Sequence, residues 1–212
     1  MLQLQRTLWR LNLPALLAVA TVIAFTVLRV ALLWRSGSEV PFNLPDLAGL
    51  FLRGLLFDTV VAAYVYGFFS LFGFLMPERL RQSVVGHRAT LGVAWVYLFA
   101  LGFVVVAEWF FWSEFSVRMN FIAVDYLVYR REVTGNISES YAVVPILSTV
   151  AVIAAGVVWL IRQRIQTSIN HPLTPKLRLL TAFVTVLILG AAGSLSGDRV
   201  PALSNNMYVE EL

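Results

Sequence analysis

The chain contains no cysteine and few charged residues. Only 13% of its 212 residues are Asp, Glu, Lys or Arg, whereas about a quarter is usual in soluble domains. The lack of cysteine excludes disulfides and thiolate metal sites. The two histidines, His87 and His171, have no His, Cys or carboxylate partner at ligand spacing, so we predict no metal site. The sequence also lacks internal repeats and a glycine-rich phosphate loop.

Apolar residues, in contrast, make up 59% of the chain, with a mean hydropathy of +0.79. A helix needs about 20 apolar residues to cross a bilayer core of about 30 Å. We therefore predict an all-α integral membrane protein with five transmembrane helices, over residues 13–33, 47–75, 91–111, 143–161 and 179–192. The fifth run is the shortest. These helices would form a membrane domain over residues 1–193, followed by an extracytoplasmic tail over residues 194–212.

The basic residues predict the orientation of these helices. The net charge is +4, but the basic residues are dispersed among short connections, which argues against a nucleic-acid partner. Most of them fall on one side of the predicted membrane: Arg6, Arg10, Arg79, Arg81, Arg88, Arg162, Arg164, Lys176 and Arg178. Because short cytoplasmic connections are rich in Lys and Arg, we predict a cytoplasmic N-terminus and, after five crossings, an extracytoplasmic C-terminus.

Four ionisable residues lie inside the predicted spans: Arg29, Arg53, Asp58 and Glu108. A charge at the centre of a spanning helix costs about 2.5–3.5 kcal/mol even on the mildest scale, so each is a candidate functional residue. We predict a polar cluster in which Arg29 and Arg53 bind the phosphate of a phospholipid. Asp58 is too short to reach the interface and is expected to pair with another helix. Alternatively, the arginines and Glu108 extend to the membrane interface.

A charged and aromatic segment over residues 114–141 separates the third and fourth predicted spans. Four of its charged residues fall within about 40° of each other on a helical wheel: Glu114, Arg118, Asp125 and Glu132. Its tyrosines suit the headgroup level, so we predict an interfacial helix on the extracytoplasmic face. The alternative is a solvated connector. The candidate docking residues are Glu114, Arg118, Asn120, Asp125, Tyr126, Arg130, Glu132, Asn136, Glu139 and Tyr141.

Two stretches carry a resemblance to a known family. They are "GLLFD" at residues 54–58 and "RMNFIAVDYLVYRREVTGNISESY" at residues 118–141. Together they resemble the N-terminal membrane domain of Gram-negative members of the lipoteichoic acid synthase and phosphoglycerol transferase family, in the alkaline phosphatase and sulfatase superfamily. The resemblance implies the bacterial inner membrane, five spans and phosphatidylglycerol as the membrane lipid.

The resemblance also implies an extracytoplasmic catalytic domain after the membrane domain. Such a domain would use a threonine nucleophile and a divalent metal such as manganese or magnesium. None of it precedes Leu212, so no catalytic residue, metal ligand or cofactor is assigned to this chain. The expected role is to anchor the enzyme, present its lipid and dock the catalytic domain. The alternatives are a stand-alone membrane protein that binds lipid or a partner enzyme, and a small transporter or channel.

Overall fold

The computed structural model describes residues 13–37, 43–119, 141–169 and 175–195. In these residues the regular structure is entirely helical, which confirms the all-α prediction there. The helices are α1 (Leu13–Ser36), α2 (Leu44–Leu75), α3 (Glu78–Arg81), α4 (Val84–Phe115), α5 (Val143–Ile169) and α6 (Pro175–Leu195).

Four of the helices are long and apolar enough to cross a membrane. They are α1, α2, α4 and the Val143–Gln163 part of α5, which correspond to the first four predicted spans. The chain is therefore a multi-pass membrane protein. The apolar part of α6 in the described residues, Ala182–Ser194, is shorter than a span, so the fifth crossing stays a prediction.

The connection between the second and third predicted spans is helical rather than a loop. After α2 ends near Met76 and Pro77, the short helix α3 carries Glu78 and Arg81, and α4 already begins at Val84. The Ser83 hydroxyl accepts a hydrogen bond from the Gly86 N–H at 3.0 Å and so caps α4. His87 therefore lies in the first turn of α4.

The helices pack in the order α6, α2, α1, α4, α5. Helices α1 and α4 run parallel, because Thr21 of α1 contacts Tyr97 of α4 and, farther along both helices, Arg35 contacts Trp109. We call the end that holds the last turns of α1 and α4 and the first turns of α2 and α5 the Arg35 end. Tyr141, just before α5, lies at this end and bonds to Glu114 of α4.

Two clusters of buried apolar residues hold the bundle together. The larger joins four helices and contains Leu17, Phe69, Leu98 and Val158. The second lies near the Arg35 end and contains Leu28, Leu32, Leu50 and Trp112. Large apolar side chains also cover the outside of the bundle, as expected for helices in contact with lipid.

A polar contact between α1 and α4 also lies within the larger cluster. The Thr21 hydroxyl donates to the Leu17 carbonyl at 2.8 Å, so its proton is already engaged. The Tyr97 hydroxyl, 2.5 Å from the Thr21 oxygen, is therefore the donor between them. This hydrogen bond links α1 to α4 within the apolar interior.

Candidate functional site

A buried ion pair joins α1 to α2. Arg29 donates from Nη1 to Asp58 Oδ2 at 2.9 Å and from Nη2 to Asp58 Oδ1 at 3.1 Å. Only 2% of Arg29 and 4% of Asp58 are exposed. This two-point geometry is the strongest form of an arginine–carboxylate contact, and it fixes the rotation of both helices at this level.

Gly54 provides the space that the Arg29 guanidinium occupies. A Cβ atom at position 54 would lie 2.1 Å from Arg29 Cζ and 2.2 Å from Nε, which no real side chain allows. Gly54 and Asp58 are one helical turn apart on α2 and so face the same side. The first and last residues of the "GLLFD" stretch thus both contact Arg29.

Arg29 lies farther from the end of its helix than the predicted span over residues 13–33 implies. Helix α1 continues to Ser36, so Arg29 is about two turns from its end. Arg29 was predicted to bind a phospholipid phosphate, and Asp58 was expected to pair with another helix. Both terminal nitrogens of Arg29 are bonded to Asp58, and its buried Nε has no hydrogen-bond partner.

Arg53, the second predicted phosphate ligand, lies apart from this pair. It is one residue before Gly54 and is half-buried. Within the described ranges it forms no ion pair and no hydrogen bond. The predicted polar cluster of four residues is therefore divided, with Arg29 and Asp58 in one pair and Glu108 in another.

Glu108 pairs with Arg118, a residue that the sequence analysis assigned to the docking surface. Arg118 donates from Nε to Glu108 Oε1 at 2.6 Å and from Nη2 to Oε2 at 2.9 Å. The contact is possible because α4 ends at Phe115 and Ser116 adopts a left-handed conformation with φ of 56°. The chain after Ser116 thus brings Arg118 back to a carboxylate that is only 5% exposed.

Glu114 and Tyr141 connect α4 to the start of α5. The Tyr141 hydroxyl donates to Glu114 Oε1 at 2.7 Å, and its ring lies 4.4 Å from that of Phe110. The hydrogen bond to Glu114 raises the pKa of Tyr141, with smaller contributions from burial and from the Glu114 charge, while the Arg35 charge lowers it. Ionisation of Tyr141 would break the hydrogen bond and place a phenolate beside a carboxylate.

The predicted interfacial helix is only partly within the described residues. Glu114 belongs to the last turn of α4, not to a separate helix, because α4 extends beyond the predicted end of the third span at residue 111. Arg118 and Tyr141 are also described, whereas the remaining seven predicted docking residues lie outside the described ranges: Asn120, Asp125, Tyr126, Arg130, Glu132, Asn136 and Glu139. The interfacial helix and its docking role stay predictions.

An apolar groove near the Arg35 end was not anticipated from the sequence. It lies between α1, α4 and α5, has a volume of about 360 Å³ and is lined by residues that include Val27, Ala31, Val106, Phe110 and Ile146. Trp109 also lines it, and the Arg35 guanidinium lies 5.0 Å from the centre of the Trp109 ring. Sequence periodicity identifies apolar faces, but a space between three helices depends on their packing.

The described residues do not offer a ligand set for the divalent metal that the resemblance implies. No three His, Cys, Asp or Glu side chains come together there. No family model, curated protein or solved structure matches this chain. The functional argument therefore depends on the residues themselves.

Proposed function

We propose that this chain is the membrane domain of a bacterial cell-envelope enzyme of the lipoteichoic acid synthase and phosphoglycerol transferase type. It anchors the enzyme in the inner membrane, with its N-terminus in the cytoplasm and its C-terminus outside. It presents a membrane lipid, expected to be phosphatidylglycerol, to a catalytic domain that carries the metal. The segment over residues 114–141 docks that domain.

The observation that carries this proposal is the role of the "GLLFD" stretch. Gly54 and Asp58 come from one of the two stretches that resemble the family, and both contact the buried Arg29. The stretch therefore has a structural role in a membrane domain, because this contact holds the first two helices in a fixed arrangement. A lipid-presenting surface needs such a rigid support.

The stretch over residues 118–141, which also resembles the family, contacts the bundle at both of its ends. Arg118, its first residue, bonds to Glu108 of α4, and Tyr141, its last residue, bonds to Glu114. Both ends of the stretch are therefore fixed at the Arg35 end. This arrangement supports a docking role, because the residues between them start and finish at the same face of the bundle.

The intact mass of the protein in membranes of its native source tests the enzyme part of the proposal. A mass far above 23.7 kDa is expected, because the catalytic domain would be on the same polypeptide. The purified full-length protein should then release glycerol phosphate from labelled phosphatidylglycerol, and a metal chelator should stop the release. A mass near 23.7 kDa without such activity would contradict the enzyme role and favour a stand-alone lipid-binding or partner-binding protein.

A further inference from the structure

The apolar groove between α1, α4 and α5 can be entered from the outside of the bundle. Val27, one of its lining residues, is 61% exposed. The volume of about 360 Å³ falls within the range of small-molecule pockets in proteins. Because its lining is apolar and it faces the surrounding hydrocarbon, the ligand part that it fits is an acyl chain.

The rim of the groove carries groups suited to a lipid headgroup. Arg35 lies over Trp109, and Tyr141 lies against Phe110, so both polar residues contact aromatic lining residues. The Arg35 side chain is exposed and forms no ion pair with any described residue. Its Cζ lies over the Trp109 ring, and no described acceptor is hydrogen-bonded to its N–H donors, so these can bind a phosphate.

Among the described residues, the charges at the rim of the groove nearly cancel. Glu114 is exposed and accepts a hydrogen bond from Tyr141, and it contributes one negative charge beside the positive charge of Arg35. The charge of Arg118 is matched by Glu108. The phosphate of any glycerophospholipid would find a partner in Arg35, but only a headgroup that also carries a cation would offer a partner to Glu114.

We propose that a zwitterionic glycerophospholipid of the ethanolamine class occupies this groove. One acyl chain lies along Val27, Ala31 and Val106, and the phosphate binds the Arg35 guanidinium. The ammonium group of the headgroup faces the Glu114 carboxylate. The opposite effects of Glu114 and Arg35 on the pKa of Tyr141 support this arrangement, since they place both charges near the same hydroxyl.

This site deepens the proposed function and rests on it only for the placement of the helices in a bilayer. The ligand differs from phosphatidylglycerol, the lipid implied as donor of the transferred group. The groove therefore holds a resident lipid of the bilayer at the face where the 114–141 segment begins and ends. It supports the docking surface and does not supply the transferred group.

Native mass spectrometry of the protein released from bilayers tests the site. The bilayers contain equal amounts of phosphatidylethanolamine and phosphatidylglycerol with the same acyl chains. We expect one phosphatidylethanolamine to be retained several-fold more often than phosphatidylglycerol. Arg35→Gln should abolish this retention, while Arg53→Gln, which changes an arginine outside the groove, should leave it intact. Glu114→Gln should remove the preference for ethanolamine without removing the bound lipid.

A second experiment tests the position of the acyl chain. Ethanolamine lipid with brominated acyl chains should quench Trp109 fluorescence, and the quenched component should be absent from Trp109→Phe. Ala31→Phe, which fills the groove, should reduce the quenching, whereas Ala155→Phe on the exposed face of α5 should not.

Three outcomes would overturn the proposed site. They are equal retention of the two lipids by the wild type, preferential retention of phosphatidylglycerol, and equal losses in the Arg35 and Arg53 variants. None of these outcomes depends on a catalytic domain. The anchoring role is tested independently, by the intact mass and by the release of glycerol phosphate.

Discussion

The guanidinium of Arg29 lies against the backbone of Gly54, at a distance that leaves no room for a methyl group. A Cβ at position 54 would be 2.1 Å from Arg29 Cζ. The contact lets Arg29 reach Asp58 with both terminal nitrogens. A glycine inside a helix usually lowers the stability of the fold. At position 54 this loss is offset by the ion pair that the glycine permits.

Gly54→Ala should therefore destabilise the protein, against the usual effect of this change. Replacing a helical glycine by alanine normally stabilises by about 0.5–1 kcal/mol. Here the new methyl group forces the Arg29 guanidinium to shift within a buried ion pair, whose complete loss would cost about 3–5 kcal/mol. The free energy of unfolding measured by denaturant titration in mixed micelles should fall. Gly73→Ala in the same helix meets no atom within 4 Å and should stabilise or have no effect.

Asp58→Asn should destabilise the protein by about 3–5 kcal/mol, because it leaves the Arg29 charge buried without a carboxylate. The same titration measures this change. Asp46→Asn, in the first turn of the same helix, serves as the control and should cost far less. Replacing both partners, as Arg29→Met with Asp58→Leu, should recover much of the loss, since neither charge is then buried. If the double variant is as unstable as Asp58→Asn, the ion pair is not the cause.

Part of this arrangement could be predicted from the sequence. Hydropathy located the four long apolar helices, and the rarity of charges in them identified Arg29, Asp58 and Glu108 as exceptional. The partners could not be predicted in the same way. Arg29 and Asp58 meet only because α1 and α2 pack with one particular rotation, and a helical wheel describes one helix at a time.

The partner of Glu108 was missed for a different reason. Arg118 follows it by ten residues, a spacing that does not bring side chains together on a continuous helix. The pair forms because α4 ends at Phe115 and Ser116 adopts a left-handed conformation. Serine is not a usual residue for that conformation, so neither glycine nor proline marks the turn in the sequence.

Glu108→Gln should loosen the chain after α4. The variant removes the negative charge that holds Arg118, whose side chain is 28% exposed and can then move into solvent. Limited trypsin digestion should therefore cleave after Arg118 faster than in the wild type, since proteolysis follows local opening. Asp46→Asn removes a carboxylate in the first turn of α2 that forms no ion pair with a described residue, and it should leave the rate of this cleavage nearly unchanged. Equal acceleration in both variants would argue against the Glu108 pair as the restraint.

The link between Tyr141 and Glu114 predicts a loss of stability at high pH. The pKa of Tyr141 is raised in the folded protein, so the folded state favours the neutral phenol. The stabilisation is fully present below the ordinary tyrosine pKa of about 10 and is lost as pH rises through the folded value. The difference in Tm between wild type and Tyr141→Phe should shrink over that range. Glu114→Gln should lower the pKa of Tyr141. The pKa is measured from the absorbance of tyrosinate as pH rises, after the signal of the other tyrosines, recorded in Tyr141→Phe, is subtracted.

The hydrogen bond between Tyr97 and Thr21 should make a measurable contribution to the packing of α1 on α4. Hydrogen bonds between membrane helices average about 0.6 kcal/mol and reach about 1.7 kcal/mol in double-mutant cycles. We expect Tyr97→Phe and Thr21→Val to show a coupling energy within this range, because Tyr97 donates to an oxygen whose own proton is bonded to Leu17. Thr59→Val, which removes an exposed hydroxyl bonded only within α2, should show no coupling with Tyr97→Phe. A coupling energy near zero for the Tyr97 and Thr21 pair would mean that apolar packing alone holds α1 against α4.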